Sequence, residues 1–111
     1  MDSILTTIKK LLGIEADYHQ FDNDIIVHIN SVLMTLNQLG VGPENPASIS
    51  SELDTWEKTL GELKNLEAVK TYIYIKVRII FDPPTSSFVL DALNKQANEL
   101  EWRLNVQTEN K

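Results

Sequence analysis

The segment from Thr71 to Leu104, TYIYIKVRIIFDPPTSSFVLDALNKQANELEWRL, constrains this chain more than any other. It opens on a nearly all-apolar run, is stopped by two prolines, restarts on serines, and continues as an amphipathic stretch with Trp102 on its polar side. Neither proline has an N–H, and the residue before each is pushed away from helical angles, so Asp82-Pro83-Pro84 separates two elements. The segment carries more apolar surface than a small monomer readily hides, and it contains no recognisable reactive group. It points to assembly and not to catalysis.

A chain of 111 residues makes one domain, able to bury roughly 60 to 70% of the surface its unfolded form exposes. We expect that domain to span residues 1–106, with 107–111 a polar tail that frays. No cysteine is present, which excludes disulfides and thiolate metal sites and allows a reducing cytosolic setting. The formal net charge is -6, with both signs mixed along the chain. Tight duplex DNA binding needs clustered basic residues to displace phosphate counterions, and only Lys9-Lys10 and the pair Lys76 and Arg78 approach that. The N-terminus, MDSILTTIKKLLGIEAD, has polar residues every few positions and no signal-type cleavage site, so it reads as an amphipathic helix of a soluble, unexported protein. No segment reaches the ~20 uninterrupted apolar residues of a membrane span.

Helical periodicity recurs along the chain. Ile4, Leu5, Ile8, Leu11 and Leu12 share one face, with Asp2 or Ser3 to cap the start and Gly13 to end it. Ile25, Ile26, Ile29, Val32, Leu33, Leu36 and Leu39 hold a four-turn stripe that Asp22 or Asp24 can cap and Gly40 stops. Residues 40–50 hold too many breakers for a regular element and make a surface loop. Ser51 and Asp54 offer caps to a short helix around Trp56 and Leu60, ended by Gly61.

Between Leu66 and Phe81 the local signals conflict. Tyr72, Tyr74, Lys76 and Arg78 alternate with Ile73, Ile75, Val77 and Ile79, a strand pattern. Leu66, Val69, Ile73, Val77 and Ile80 also form a helical stripe with Asn65 as its cap. A lone strand would find no partner in this sequence, so a long helix is the consistent choice. After the prolines, Thr85, Ser86 or Ser87 can cap a last helix whose Leu90, Leu93, Ala97, Leu100 and Leu104 form an a/d seam. Asp91 with Lys95 and Glu99 with Arg103 are i, i+4 pairs outside that seam. The fold class is all-α: a small bundle of four to five helices with a long central helix and an amphipathic C-terminal helix.

Chemistry-bearing constellations are weak. His19 and His28 with Asp17, Asp22 and Asp24 match no compact zinc spacing, and Asp22-Asn23-Asp24 lacks the glycine and distal glutamate of a calcium loop. No nucleophile elbow or phosphate-binding glycine motif occurs. Glu99 and Glu101 point to different sides of a helix and cannot share a proton. We therefore expect no enzyme, no cofactor and no metal.

Misplaced apolar residues are more informative. With Leu90 at a, Trp102 falls at f, away from the seam, where an aromatic anchor can meet a partner or lie on a neighbouring helix of the same subunit. If Val69, Ile73, Val77 and Ile80 face the core, then Tyr72, Tyr74, Ile75 and Ile79 occupy other sides, and a neighbouring subunit is their natural second cover. Those four are the expected ring interface.

The order of a short N-terminal helix, INSVLMTLNQLGVGP, Thr55-Trp56, LEAVKTYIYIKVRIIFDPPTSS and ALNKQANELEWRL resembles the head-tail connector proteins of tailed bacteriophages, also called adaptor or head-completion proteins. The likeness runs over roughly residues 4 to 106 and is most specific from Tyr72 to Ser87 and at Glu101-Trp102-Arg103-Leu104. It implies a helical protomer that forms a homo-oligomeric ring of about twelve copies below the portal protein, in the neck of the virion. The ring would extend the DNA channel and dock a stopper or tail-completion protein, with assembly in the bacterial cytoplasm. In such proteins the C-terminal segment embraces the portal, which here designates Ser87 to Leu104. Within it we expect Trp102, Glu101, Arg103, Gln96 and Leu104 to make the contact. An acidic lumen suits DNA passage without specific binding. Two other readings compete: a small helical DNA-binding or DNA-packaging accessory using Lys9, Lys10, Lys76 and Arg78, and a helical regulator dimerised through its C-terminal seam.

Overall fold

The segment between Leu66 and Phe81 decides the architecture, because its apolar side chains project in nearly every direction and must be covered on several sides. The computed structural model describes residues 2–109 and contains α1 (Ile4–Leu11), α2 (Asp22–Gln38), α3 (Trp56–Leu60), α4 (Leu66–Phe81) and α5 (Ser87–Glu109). Among the described residues, the β structure is one isolated antiparallel bridge between Ser3 and Thr55. The fold is thus the all-α bundle expected, with the ambiguous segment a helix.

α4 packs against α1, α2 and α5 together. Val69, Tyr72, Ile73, Ile75 and Val77 are all buried there, so β-branched and aromatic residues with a strand-like alternation are satisfied as a helix because three helices surround it. This corrects one expectation: the chain itself, not a neighbouring subunit, covers Tyr72 and Ile75. Ile80 is corrected in the opposite sense. It continues the Val69, Ile73, Val77 stripe yet is 56% exposed, since it sits in the last turn beside the Asp82-Pro83-Pro84 exit, where the body of the bundle runs out.

The helix ends use local chemistry. Ser3 Oγ accepts from the Thr6 N–H at 3.2 Å, and Thr55, not Ser51 or Asp54, caps α3 by accepting from Lys58 N–H at 3.2 Å. Asp54 instead closes the preceding turn, accepting from the Ser50 and Ser51 N–H groups at 2.7 and 3.2 Å. These hydrogen bonds, the Ser50 N–H foremost, outweigh its partial burial and hold its carboxyl below the usual range. α2 has no side-chain cap, because the residue at its N-cap position is Phe21; Asp22 is the first residue of the helix and is turned toward Lys9. Asn65 stands at the α4 N-cap position without a cap bond; its amide donates to Gln107 Oε1 at 2.8 Å. Ser86 Oγ accepts from Val89 N–H at 3.3 Å and starts α5.

α5 continues past Val106 to Glu109, and Thr108 Oγ1 donates to the Leu39 carbonyl at 3.0 Å. Gly40 makes this docking possible: its φ is +86°, and an added Cβ would lie 3.2 Å from Thr108 Oγ1. The rest of the polar tail lies outside the described residues. The 40–50 segment, though irregular, is tied down: Val41 and Ile49 are in the core, Asn30 exchanges two hydrogen bonds with the Ile49 backbone at 2.7 and 3.0 Å, and Asn37 donates to the Pro43 and Glu44 carbonyls at 3.1 Å. The molecule measures 40 × 35 × 19 Å. Its smallest dimension is about two helix diameters, so outward helix faces make up much of the surface.

Candidate interaction surfaces

α5 separates its two faces cleanly. Ala97 and Leu104 are buried and Leu93 and Leu100 pack against the core, while Trp102 is 67% exposed on the other side. Of the five residues expected at a portal contact, Trp102, Gln96 and Arg103 are on the surface, with Arg103 Nη2 pairing to Glu99 Oε1 at 2.7 Å. Leu104 belongs to the core. Glu101 also serves the interior, accepting from the Tyr72 hydroxyl at 2.9 Å. Burial pushes the Tyr72 hydroxyl pKa up and Glu101 adds to the shift, so the phenol stays a neutral donor.

The four residues expected at a ring contact do not form one surface. Tyr72 and Ile75 are buried, while Tyr74 and Ile79 are half-buried. At about 100° per residue the latter two lie roughly 140° apart around α4, and Tyr74 already accepts from Arg78 Nη1 at 3.0 Å. On α2, Val27 and Met34 are exposed seven positions apart on the same side, with polar Asn30 and Ser31 between them.

Lys9 is the residue that sequence reasoning misjudged. It is 2% exposed; its ammonium donates to the Tyr18 carbonyl at 2.7 Å and to the Ala16 carbonyl at 3.2 Å, and it lies 2.8 Å from Asp22 Oδ1. That last contact is an ion pair without hydrogen-bond alignment, since Oδ1 receives no well-directed proton. Asp22 Oδ2 faces His19 Nδ1 at 2.8 Å. Partial burial pushes the Asp22 carboxyl up, but Lys9 and His19 together outweigh it and hold it below the usual range. The available signal was spacing: Lys9 lies four positions after Leu5 and three before Leu12, on the inward face of α1. With Lys9 spent inside, and Lys76 and Arg78 both half-buried, the four cations do not combine into a phosphate-binding surface.

Nothing in this arrangement gathers reactive groups. His19 pairs with Asp22, whereas His28 meets Phe81 edge to face with ring centres 6.4 Å apart. Among the described residues no three His, Cys, Asp or Glu side chains converge on a point that could hold a metal ion. Two open clefts of about 560 and 480 Å³ flank the 62–65 segment. The larger is lined by Asp2, Glu57 and Glu62 with Lys64 and Lys70, and Lys70 Nζ lies 5.5 Å from the Trp56 ring centre. Among the described residues no helix is long and apolar enough to cross a membrane.

The fold and its surfaces define a class: a small helical module whose distinctive residues are exposed apolar and aromatic side chains. A family model described as "Phage connector protein" matches residues 4–111, nearly the whole chain, and the chain belongs to that phage connector family. Comparisons with curated proteins and with solved structures returned no match.

Proposed function

We propose that this chain is a non-enzymatic head-tail adaptor: copies of it form a ring below the portal of a tailed phage, extend the DNA channel and hold a stopper or tail-completion protein. Its place is then the neck of the virion, and DNA passes through the lumen without specific binding. Family membership supports this reading, and Trp102 carries the portal contact in it, as a large aromatic left two-thirds exposed on a helix whose opposite face packs on the core. Gln96 and Arg103 flank the anchor, while Glu101 and Leu104 act from inside by holding α5 on α4. A ring needs two different, complementary patches; the α2 side that exposes Val27 and Met34 is one, and Tyr74 and Ile79 keep part of their area for the neighbour. The net charge of -6 favours a lumen that repels phosphate.

Electron microscopy of the purified protein mixed with its portal tests the reading. A closed ring stacked on the portal, with α5 against it, is the expected result. A discrete two-subunit species that ignores the portal, or retardation of duplex DNA with a steep salt dependence, would overturn it.

A further inference from the structure

One end of the bundle stands apart from the rest of the surface. α2 begins there and α4 finishes there, since the Phe21 and Phe81 rings meet edge to face at 5.4 Å. α1 finishes there too, as Lys9 in its last turn binds Asp22 at the start of α2, and α5 begins there after a turn of only residues 82–86. Six of the ten large apolar residues that the described chain exposes lie at this end: Leu11, Tyr18, Phe21, Ile80, Phe88 and Val89. Phe88 is 82% exposed, the most of any of the ten. Tyr18 packs at a tilt against Phe21 at 5.7 Å, so Tyr18, Phe21 and Phe81 form one contiguous aromatic cluster.

The charge around this apolar end is predominantly acidic. Glu15, Asp17, Asp24, Asp82 and Asp91 are exposed there, against Lys10 and, one turn further along α5 from Asp91, Lys95, while Lys9 is internal and neutralised by Asp22. A second copy meeting this end with its own would set carboxylates against carboxylates. Nor does the described chain offer a basic face elsewhere: Lys58 adjoins Glu57, Lys64 is two residues from Glu62, Lys70 is paired with Glu67, Lys95 lies four positions from both Asp91 and Glu99, and Arg103 is paired with Glu99. Large exposed apolar patches on small soluble domains mark partner surfaces, and the acidic rim selects the partner's sign.

We infer that this end of the bundle docks a different protein, through a segment whose apolar side chains are flanked by Lys and Arg. The face is separate from the Trp102 contact, which lies fifteen positions into α5, about 22 Å along the helix axis. The inference goes beyond the adaptor reading and stands without it.

The test uses the full chain, isotope-labelled, titrated with an amphipathic helical peptide that carries leucines on one face and lysines around them. A control peptide replaces each lysine with glutamate. The basic peptide should bind at least about tenfold more tightly than the acidic one, weaken with salt, and shift resonances of Tyr18, Phe21, Ile80 and Phe88. Ile80→Ser with Phe88→Ser should cut that affinity at least about tenfold with the circular dichroism unchanged, while Trp102→Ala leaves it intact. Equal binding of both peptides, no binding, or shifts centred on α2 or Trp102 would each overturn the inference. So would a fall in self-association of the Ile80→Ser, Phe88→Ser chain, which would make a second copy the occupant. Loss of portal binding by Trp102→Ala alone leaves this face untouched, so the two surfaces fail separately.

Discussion

Lys9 is held inside the protein by three oxygens: the carbonyls of Ala16 and Tyr18, which accept from its ammonium, and the Asp22 carboxylate, which pairs with it. Removing the ammonium strands two carbonyls and a partly buried carboxylate, so Lys9→Met should destabilise the fold by about 3 kcal/mol in urea titrations. Asp22 and Asp54 both titrate below the ordinary aspartate value of 3.8. Just below 3.8 the unfolded chain therefore binds more protons than the folded one, and stability rises with pH in that window. Their contribution is complete above 3.8 and is lost as pH falls through the lower folded values. Denaturation midpoints across acid pH should show this limb, and Asp22→Asn or Asp54→Asn should flatten it. Tyr72→Phe keeps the buried ring but takes the donor from Glu101, which should cost about 1 to 2 kcal/mol.

Individual helices differ in what they tolerate. On α4, Ile73→Asp or Val77→Asp buries an unpaired carboxylate at a fully covered site, a cost of several kcal/mol against a total of about 5 to 15, and should abolish cooperative unfolding. Ile80→Asp, on the same stripe, should stay within about 0.5 kcal/mol of the parent because its side chain meets water. Equal unfolding by all three would show that α4 is covered to its last turn. At the far end of α5, Gly40→Ala should lower stability by about 1 to 2 kcal/mol, since Gly40 adopts a φ of +86° and faces Thr108. Thermal melts decide both series.

At the level of the whole molecule, the protomer closes its core without a second copy, and assembly then rests on what it leaves outside. Trp102→Ala should change helical content little but weaken retention on the portal by about 2 kcal/mol per contact, roughly thirtyfold, multiplied by avidity around a ring. Co-sedimentation with filled heads measures it. A variant that unfolds would place Trp102 in the core; one that folds and binds at full strength would move the contact elsewhere.

Helices were legible in the sequence wherever the signal is local. The i, i+3, i+4 stripes of α1, α2 and α5, the Asp82-Pro83-Pro84 break and the absence of clustered basic charge all depend on spacing and composition alone. So did the outward setting of Trp102, which follows from its place opposite the Leu93, Ala97, Leu100, Leu104 seam. Tertiary structure alone decided which side of α4 is covered by what, because an all-round apolar helix has no periodic phase to reveal its neighbours. It also decided that Lys9 is internal, that Glu101 serves Tyr72, and that α5 extends to meet Leu39 and Gly40. Each of these joins residues far apart in the chain or turns a polar side chain inward toward acceptors on another segment, and no local pattern records such a meeting.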